Sequence, residues 1–241
     1  MRLDQYLAEK GLCKSRTAAQ SLIKSGGVSV NGAPCGKPAC DVSEQDVVAI
    51  TGEQLKYVGR GGLKLEGAVN VFGLQLSGLV CLDIGSSTGG FTDCMLQNGA
   101  ARVYAVDVGT DQLDPKLRAD ARVVAMEQTD IRTAQLPEQV DFVGTDVSFI
   151  SLKQVIPHIN RLLESRGRAV VLIKPQFEAG RQALNKKGIV KDEKIRRRVV
   201  EDIMQFAEQC GFSLLGVTVS PVQGGDGNTE YLMYIEKVAE L

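Results

Sequence analysis

The 241-residue sequence predicts an α/β protein: a doubly wound, mainly parallel sheet preceded by a small N-terminal α+β unit. Three observations predict it. Leu79 to Ile84 is an apolar run that breaks at Gly85 into a glycine-rich loop, and Phe91 to Gln97 can then begin a helix. Similar apolar runs alternate with amphipathic stretches down to a closing strand pair near the C-terminus. Between Thr51 and Arg60 the composition shifts to glycines and polar residues, which separates the first fifty residues from the rest.

In residues 1–50, Leu3, Tyr6 and Leu7 fall at helical spacing. A second helix can start with Ser15 as N-cap and run through Ala18, Ala19, Leu22 and Ile23 to Gly26. Val28-Ser29-Val30 followed by Asn31-Gly32 reads as a strand entering a tight turn, with Val47 to Ile50 as a returning strand. Residues 51–60 are the expected linker, and residues 61–241 the larger domain.

The larger domain opens with a helix around Leu63 to Phe72 that carries Lys64 near its start, an unfavourable place for a cation in the helix dipole. Leu79 to Ile84 is the first strand of the main sheet. Gly85, Gly89 and Gly90 then let the backbone approach a ligand, and the helix start offers unpaired N–H groups. Arg102 to Asp107 is the next strand and ends in an acid, where doubly wound sheets bind ribose hydroxyls. The alternative for Asp107 is a solvated loop carboxylate. Val123 to Met126 is the third strand, with Asp130 just beyond it. Val140 to Thr145 is the fourth and delivers Asp146. A helix follows over Leu152–Leu163, then a buried strand from Ala169 to Ile173 that ends at Lys174. A helix over Lys194–Cys210 precedes strands at Leu214–Val219 and Tyr231–Ile235, with Glu230 opening the last.

Composition narrows the function classes. Apolar content of 44% is ordinary for a globular chain and argues against disorder. No apolar stretch is long enough to span a bilayer, and the N-terminus lacks the apolar core of a signal peptide. The six cysteines include one inside the first main strand (Cys81) and one on the next helix (Cys94), with no C-x-x-C. Free thiols in a reducing cytoplasm are therefore expected, Cys35 and Cys40 being the one loop pair that leaves room for doubt. No metal site is expected. The net charge of −1 gives no sign of a nucleic-acid partner, so local charge must carry any such reading. From Arg181 to Arg198 eight basic residues oppose two acidic ones, directly after the strand that ends at Lys174. A solvated helix face and an RNA-contacting surface are the two readings of that block.

The loop DIGSSTGG does not match the dinucleotide pattern G-x-G-x-x-G. It resembles the first motif of S-adenosylmethionine-dependent methyltransferases. The resemblance implies S-adenosylmethionine as cofactor, with Asp83 near its methionine end, Asp107 near the ribose and Asp130 near the adenine. Gly85, Ser86, Ser87, Gly89, Gly90, Phe91, Val108 and Asp146 complete the implied cofactor site. The fold implied is the seven-stranded, Rossmann-like class I methyltransferase sheet, whose last strand runs antiparallel to the others.

At the N-terminus, Arg2-Leu3-Asp4, Lys14-Ser15-Arg16, Ile23, Gly26-Gly27-Val28 and Val30-Asn31-Gly32 resemble the S4 RNA-binding domain. That likeness makes Arg2, Lys14, Arg16 and Lys24 a phosphate-binding face. Ser15, Asn31 and Arg60 are further RNA candidates, as are Arg181, Lys186 and Lys187 in the later basic block. Lys64, Asp146, Lys174 and Glu230, in the contexts DVSF, IKPQFE and GNTEY, resemble the Lys-Asp-Lys-Glu tetrad of ribose 2′-O-methyltransferases.

A ribose hydroxyl is a poor nucleophile, so such a centre must hold oxygen and methyl at about 3 Å and manage a proton. Near pH 7.4 only about one unperturbed lysine in a thousand is neutral. Lys174 is therefore either a neutral base or an ammonium that stabilises the developing alkoxide, with Asp146 orienting it.

Together these motifs, with the segments YVGRGGLKLEGA and AVDVGTDQLDPKLRADARV, resemble the TlyA family of ribosomal-RNA (cytidine-2′-O)-methyltransferases, FtsJ-like enzymes often labelled hemolysins. One departure is Gly59, where many members carry serine. The family implies ribosomal RNA, in subunits or whole ribosomes, as substrate. Competing readings are a ribosome-binding or assembly factor with a silent site and a membrane-active hemolysin. The first is disfavoured by a complete motif set, the second by the lack of a spanning segment. Oligomeric state is not legible.

Overall fold

A computed structural model describes the chain apart from Lys14, Ser25, residues 51–55, 225–226 and 240–241, and apart from the side chain of Ser21. The chain divides into two compact units, Met1–Lys56 and Tyr57–Leu241. Of the expected linker, residues 51–55 lie outside the described residues and Tyr57 to Arg60 belong to the larger unit. Tyr57 is buried there, and Val58 N–H donates to Asp93 Oδ2 at 2.9 Å.

In the smaller unit, helices α1 (Leu3–Glu9) and α2 (Arg16–Lys24) pack on strands β1 (Val28–Val30), β2 (Ala33–Pro34) and β3 (Val48–Ile50). The strands are antiparallel in the order β2-β1-β3. Leu3, Leu7, Ala19, Ile23, Val28 and Val42 form the core, so the expected helical spacing does face inward. Ser15 caps α2, its Oγ accepting from Ala18 N–H at 3.2 Å. Asn31 and Gly32 both take positive φ, 53° and 80°, which is the tight hairpin turn that Asn-Gly favours.

The larger unit begins with α3 (Gly61–Phe72). It continues through β4 (Val80–Ile84), α4 (Gly90–Gln97), β5 (Arg102–Val106), α5 (Pro115–Arg118), β6 (Val123–Met126), β7 (Val140–Thr145), α6 (Ile156–Leu162), β8 (Leu163–Ile173), α7 (Pro175–Glu178), α8 (Glu193–Gln209), β9 (Phe212–Val219) and β10 (Tyr231–Lys237). Seven strands form one sheet in the order β6-β5-β4-β7-β8-β10-β9. β10 is antiparallel to both its neighbours and the other pairings are parallel, as the methyltransferase resemblance implies.

The apolar run of β4 has a direct cause. Leu82 and Ile84 face one core with residues of α6 and α8, while Cys81 faces the other with residues of α3 and α4. A strand covered on both faces has no reason to alternate. β8 starts at Leu163, six residues before the expected Ala169. Its first part, Glu164 to Arg168, is mostly exposed and polar and so carries no apolar signal. A register shift opposite Val140 and Phe142 accommodates it. The expected helix from Leu152 is a short 3₁₀ turn (Leu152–Gln154) followed by α6, with Pro157 in its first turn.

Candidate active site

Strand order reverses between β4 and β7, and ligands in such sheets bind outside the carboxyl ends at that point. Here Asp146 N–H donates to Ile84 O at 3.0 Å, which ties the two strand ends together. Two cavities open beside this junction. One of about 420 Å³ includes Asp107, Val108, Asp130 and Arg132 in its wall. The other, about 230 Å³, is walled by Gly61, Ser86, Thr88, Gly90, Phe91 and Lys174. Gly85, Ser87, Asp146 and Ser148 line both.

The glycine loop is held tightly. Gly85 and Ser86 N–H groups both donate to Val106 O, and Gly85 sits at φ 80° with Asp146 O only 2.6 Å from where a Cβ would be. No side chain fits there. A Cβ on Gly90 would lie 2.8 Å from Gly62 N and 3.1 Å from Gly61 Cα, so the starts of α3 and α4 meet backbone to backbone. Asp107 anchors the loop from the neighbouring strand, its Oδ2 accepting from Ser87 N–H at 2.8 Å and its Oδ1 from Gly109 N–H at 2.7 Å. Each carboxylate oxygen keeps a further lone pair for a ligand hydroxyl.

Asp83 and Gly89 are not in the walls of the two cavities. Gly89, at φ 95°, caps α4. Asp83 is fully buried, and its Oδ2 accepts from Thr92 N–H at 2.9 Å and Thr92 Oγ at 2.6 Å, while Oδ1 has no partner. Burial pushes its carboxyl up to about 7 against the two Thr92 bonds, and the charges of Asp146 and Asp107 add to the rise. Asp130 is forked by Arg132, with Nη2 to Oδ2 at 2.6 Å, which holds its carboxyl down near 2.

The four tetrad residues converge. Lys64 Nζ lies 2.7 Å from Glu230 Oε2 and 3.3 Å from Asp146 Oδ2. Lys174 Nζ lies 2.6 Å from Asp146 Oδ1 and donates to Ser148 Oγ at 2.8 Å. Gln176 Nε2 donates to Glu230 Oε1 at 3.3 Å. Both lysine side chains are 10% exposed and Glu230 2%. The carboxylates thus compensate Lys64 for its place in the first turn of α3. Lys174 reaches the cavity wall from the end of β8, and Asp146 from the end of β7.

Several residues here escaped the sequence reading. Ser148, in the DVSF context two residues after Asp146, accepts from Lys174 Nζ and has no signal of its own in the sequence. Glu127, just past β6, accepts from the N–H groups of Asp111, Gln112 and Leu113 and from Arg118, ordering the loop whose Gln112 lines the larger cavity. Burial works to raise its carboxyl, but these bonds outweigh it and hold it at about 2. Phe149 is 91% exposed at φ 64°, with its ring centroid 5.0 Å from that of Phe177. The available signal was an aromatic three residues after Asp146, directly following Ser148.

The remaining candidates separate by what they touch. In the smaller unit, Arg2 and Arg16 bond the buried Asp4, at 3.0 and 3.1 Å, and Gln20 Nε2 donates to the same carboxylate at 2.7 Å. Lys24 is exposed in the last turn of α2. Asn31 uses its amide on the hairpin, donating to Asp46 Oδ1 and accepting from Val47 N–H, both short bonds of its own unit. Lys14 lies outside the described residues. In the larger unit Arg60, Arg181, Lys186 and Lys187 are exposed. Among the described residues no cluster of His, Cys, Asp and Glu could hold a metal, and no helix is long and apolar enough to cross a membrane.

Comparison with known proteins completes the picture. Residues 57–237 match the FtsJ-like methyltransferase model and residues 1–48 the S4 domain model. Hemolysin A of Brachyspira hyodysenteriae is 42% identical, covering 97% of this chain and 99% of its own. The 16S/23S rRNA (cytidine-2′-O)-methyltransferase TlyA of Mycobacterium tuberculosis is 41% identical over 97% of this chain and 89% of its own. A solved structure from Streptococcus thermophilus that carries the hemolysin name is 45% identical, with a TM-score of 0.79 over 99% of this chain and 88% of that one. With a model match across the whole sheet unit and relatives this similar over nearly the full length, the chain belongs to the FtsJ-like methyltransferase family and joins that domain to an S4 domain.

Proposed function

We propose that the protein is an S-adenosylmethionine-dependent ribosomal RNA (cytidine-2′-O)-methyltransferase, the activity named for its Mycobacterium tuberculosis relative. The observation that carries this reading is the buried chain of ion pairs Glu230–Lys64–Asp146–Lys174 beside the glycine loop. The cradle suits the cofactor: there is no room for a Cβ at Gly85, Asp107 retains acceptor capacity, and the cavity continues to Asp130. Asp107 and Val108 would hold the ribose side, Asp130 the adenine side, and Gly85, Ser86, Ser87, Gly90 and Phe91 the methionine side. Asp83 and Gly89 support the loop from behind. When bound, S-adenosylmethionine supplies an electrophilic methyl group on a sulfonium sulfur.

The chain's own residues then have separable tasks. Asp146 and Ser148 fix the Lys174 amine, so that one side chain meets the attacking hydroxyl in a defined orientation. Lys174 either takes the hydroxyl proton as a free amine or stabilises the developing alkoxide as an ammonium. Lys64 neutralises the two carboxylates that would otherwise repel each other and the incoming oxygen. The open face of Phe149, backed by Phe177, offers a stacking surface for a base next to Ser148. The exposed Lys24, with the outer faces of the partly exposed Arg2 and Arg16, supplies phosphate contacts from the S4 domain, and the work is done in the cytoplasm, where ribosomal subunits are found.

The test is transfer of labelled methyl from S-adenosylmethionine to ribosomal subunits from a strain lacking the gene. Wild-type protein should label a cytidine ribose, and Lys174→Ala should lose at least about 100-fold of the rate. Equal labelling by both proteins would overturn the proposed centre.

A further inference from the structure

The basic stretch after β8 contains an ordered turn. Asn185 Oδ1 accepts from Lys187 N–H at 2.8 Å and Ile189 N–H at 3.0 Å. Its own N–H donates to Ile189 O at 3.1 Å, and Gly188 N–H closes back on Asn185 O at 2.9 Å. Lys186 and Lys187 are left exposed at the tip. On the far side Val190 is buried, and Arg196 Nη1 donates to Val190 O at 3.0 Å and Lys191 O at 2.7 Å, strapping the exit of the turn to α8.

Asn228 grips the same turn from the loop before β10. It is 2% exposed, its Oδ1 accepts from Val190 N–H at 3.1 Å, and its Nδ2 donates to Gly188 O at 3.1 Å. Its carbonyl in turn accepts from Gly224 N–H at 3.0 Å. Two residues on, roughly 7 Å along an extended chain, stands Glu230, the carboxylate that holds Lys64.

We propose that the turn Asn185–Ile189 docks the RNA phosphodiester backbone next to the methylated ribose, and that Asn228 is a positioning residue that sets Lys186 and Lys187 relative to Glu230. The proposal rests on the RNA-methylation reading above and specifies where its substrate is gripped. The chemistry of the turn selects phosphate. Residues 185–191 contain no carboxylate and no aromatic ring, so they offer positive charge without a base-reading surface. Lysine meets phosphate as a point charge whatever the sequence. Two surface lysines on a free loop would have to be ordered at each encounter, whereas this turn is ordered beforehand. Asparagine suits the joint because one short side chain supplies both the acceptor for Val190 and the donor for Gly188. Aspartate would lose the donor and alanine both.

The test is RNA affinity against salt, using ribosomal subunits from a strain lacking the gene, over about 50 to 200 mM salt. The double variant Lys186→Ala/Lys187→Ala should bind about tenfold more weakly and flatten the log–log salt slope by about 1.5, the value for two lost phosphate contacts. Its affinity for S-adenosylhomocysteine, read by calorimetry, should stay at the wild-type value. Asn228→Ala should flatten the slope by a similar amount and also lower kcat about tenfold. Asn185→Ala loosens the turn without touching the loop of Glu230, so it should flatten the slope with a smaller loss of kcat. A wild-type slope in the double lysine variant overturns the docking turn. A wild-type slope in Asn185→Ala, or in an Asn228→Ala protein that still binds S-adenosylhomocysteine, overturns the positioning role. Wild-type protein that neither binds S-adenosylhomocysteine nor transfers methyl would instead sink the methylation reading itself.

Discussion

Asp4 in the smaller unit and Asp83 in the larger are both fully buried, and their surroundings treat the charge in opposite ways. The Arg2 guanidinium bonded to Asp4 holds that carboxyl well below the usual range, overcoming burial, and Gln20 and Arg16 reinforce it. Asp83 receives only the two Thr92 bonds, both on Oδ2, and burial lifts it to about 7. The S4 unit neutralises its buried acid with its own side chains, and the cluster is complete. Around Asp83 the larger unit gathers acids instead: Asp107 and Asp146 both push its carboxyl further up, and two cavities open beside them. A finished charge cluster holds a fold together. One that is left in tension at the carboxyl ends of strands is where a ligand and a reaction belong.

The largest expected effect would sharpen that contrast. Arginine keeps its charge at every accessible pH, whereas lysine can give up a proton. Lys174→Arg should therefore cost at least about 1,000-fold in kcat if the amine acts as a base, upper-range for a general base. It should cost about tenfold if the ammonium only stabilises the alkoxide. Single-turnover methyl transfer at saturating subunits distinguishes the two.

Next comes the pH dependence of Asp83. A carboxyl raised in the folded state stays protonated there while the unfolded chain has lost its proton, so its penalty grows as pH rises and levels off above about 7. Wild-type protein should therefore lose about 3 kcal/mol of unfolding free energy relative to Asp83→Asn between pH 5 and pH 8. Urea titrations of both proteins would measure the gap, and a gap that does not move with pH would mean that the two aspartates are not opposites.

The smallest effect belongs to the finished cluster. Arg16 is about half exposed, and Arg2 and Gln20 continue to hold Asp4 without it. Arg16→Ala should cost less than about 1 kcal/mol of stability. A loss several times larger would show that the Asp4 cluster is less redundant than it looks.

Much of this was legible along the chain. The strand at Leu79–Ile84 stood out because burial on both faces leaves a run of apolar residues, and Ser15 marked the start of α2 by its capping hydroxyl. The four tetrad residues were identified through their resemblance to a known pattern, because 166 positions separate Lys64 from Glu230 and no local rule connects them. Other features had no sequence signal. The apolar pattern that marks β8 begins only at Ala169, since the stretch from Glu164 to Arg168 is mostly exposed and falls at the register shift between the Leu163 and Arg168 pairings. Tyr57 looked like part of a linker because its burial against the larger unit depends on what surrounds it. The bonds of the Asn31 amide to Asp46 and Val47 join residues about fifteen positions apart, which no local rule connects.

By itself the sequence determined the period of each element, the glycines that free the backbone and the inventory of charged groups, because these follow from neighbours a few residues apart. Only the tertiary structure decided which charges are neutralised and which are left in tension. That Lys64 is shared between Glu230 and Asp146, and that Asp83 has one oxygen without a partner, depend on strands distant in the chain ending side by side. Electrostatic energy depends on separation and burial in space, and neither quantity exists until the sheet is assembled.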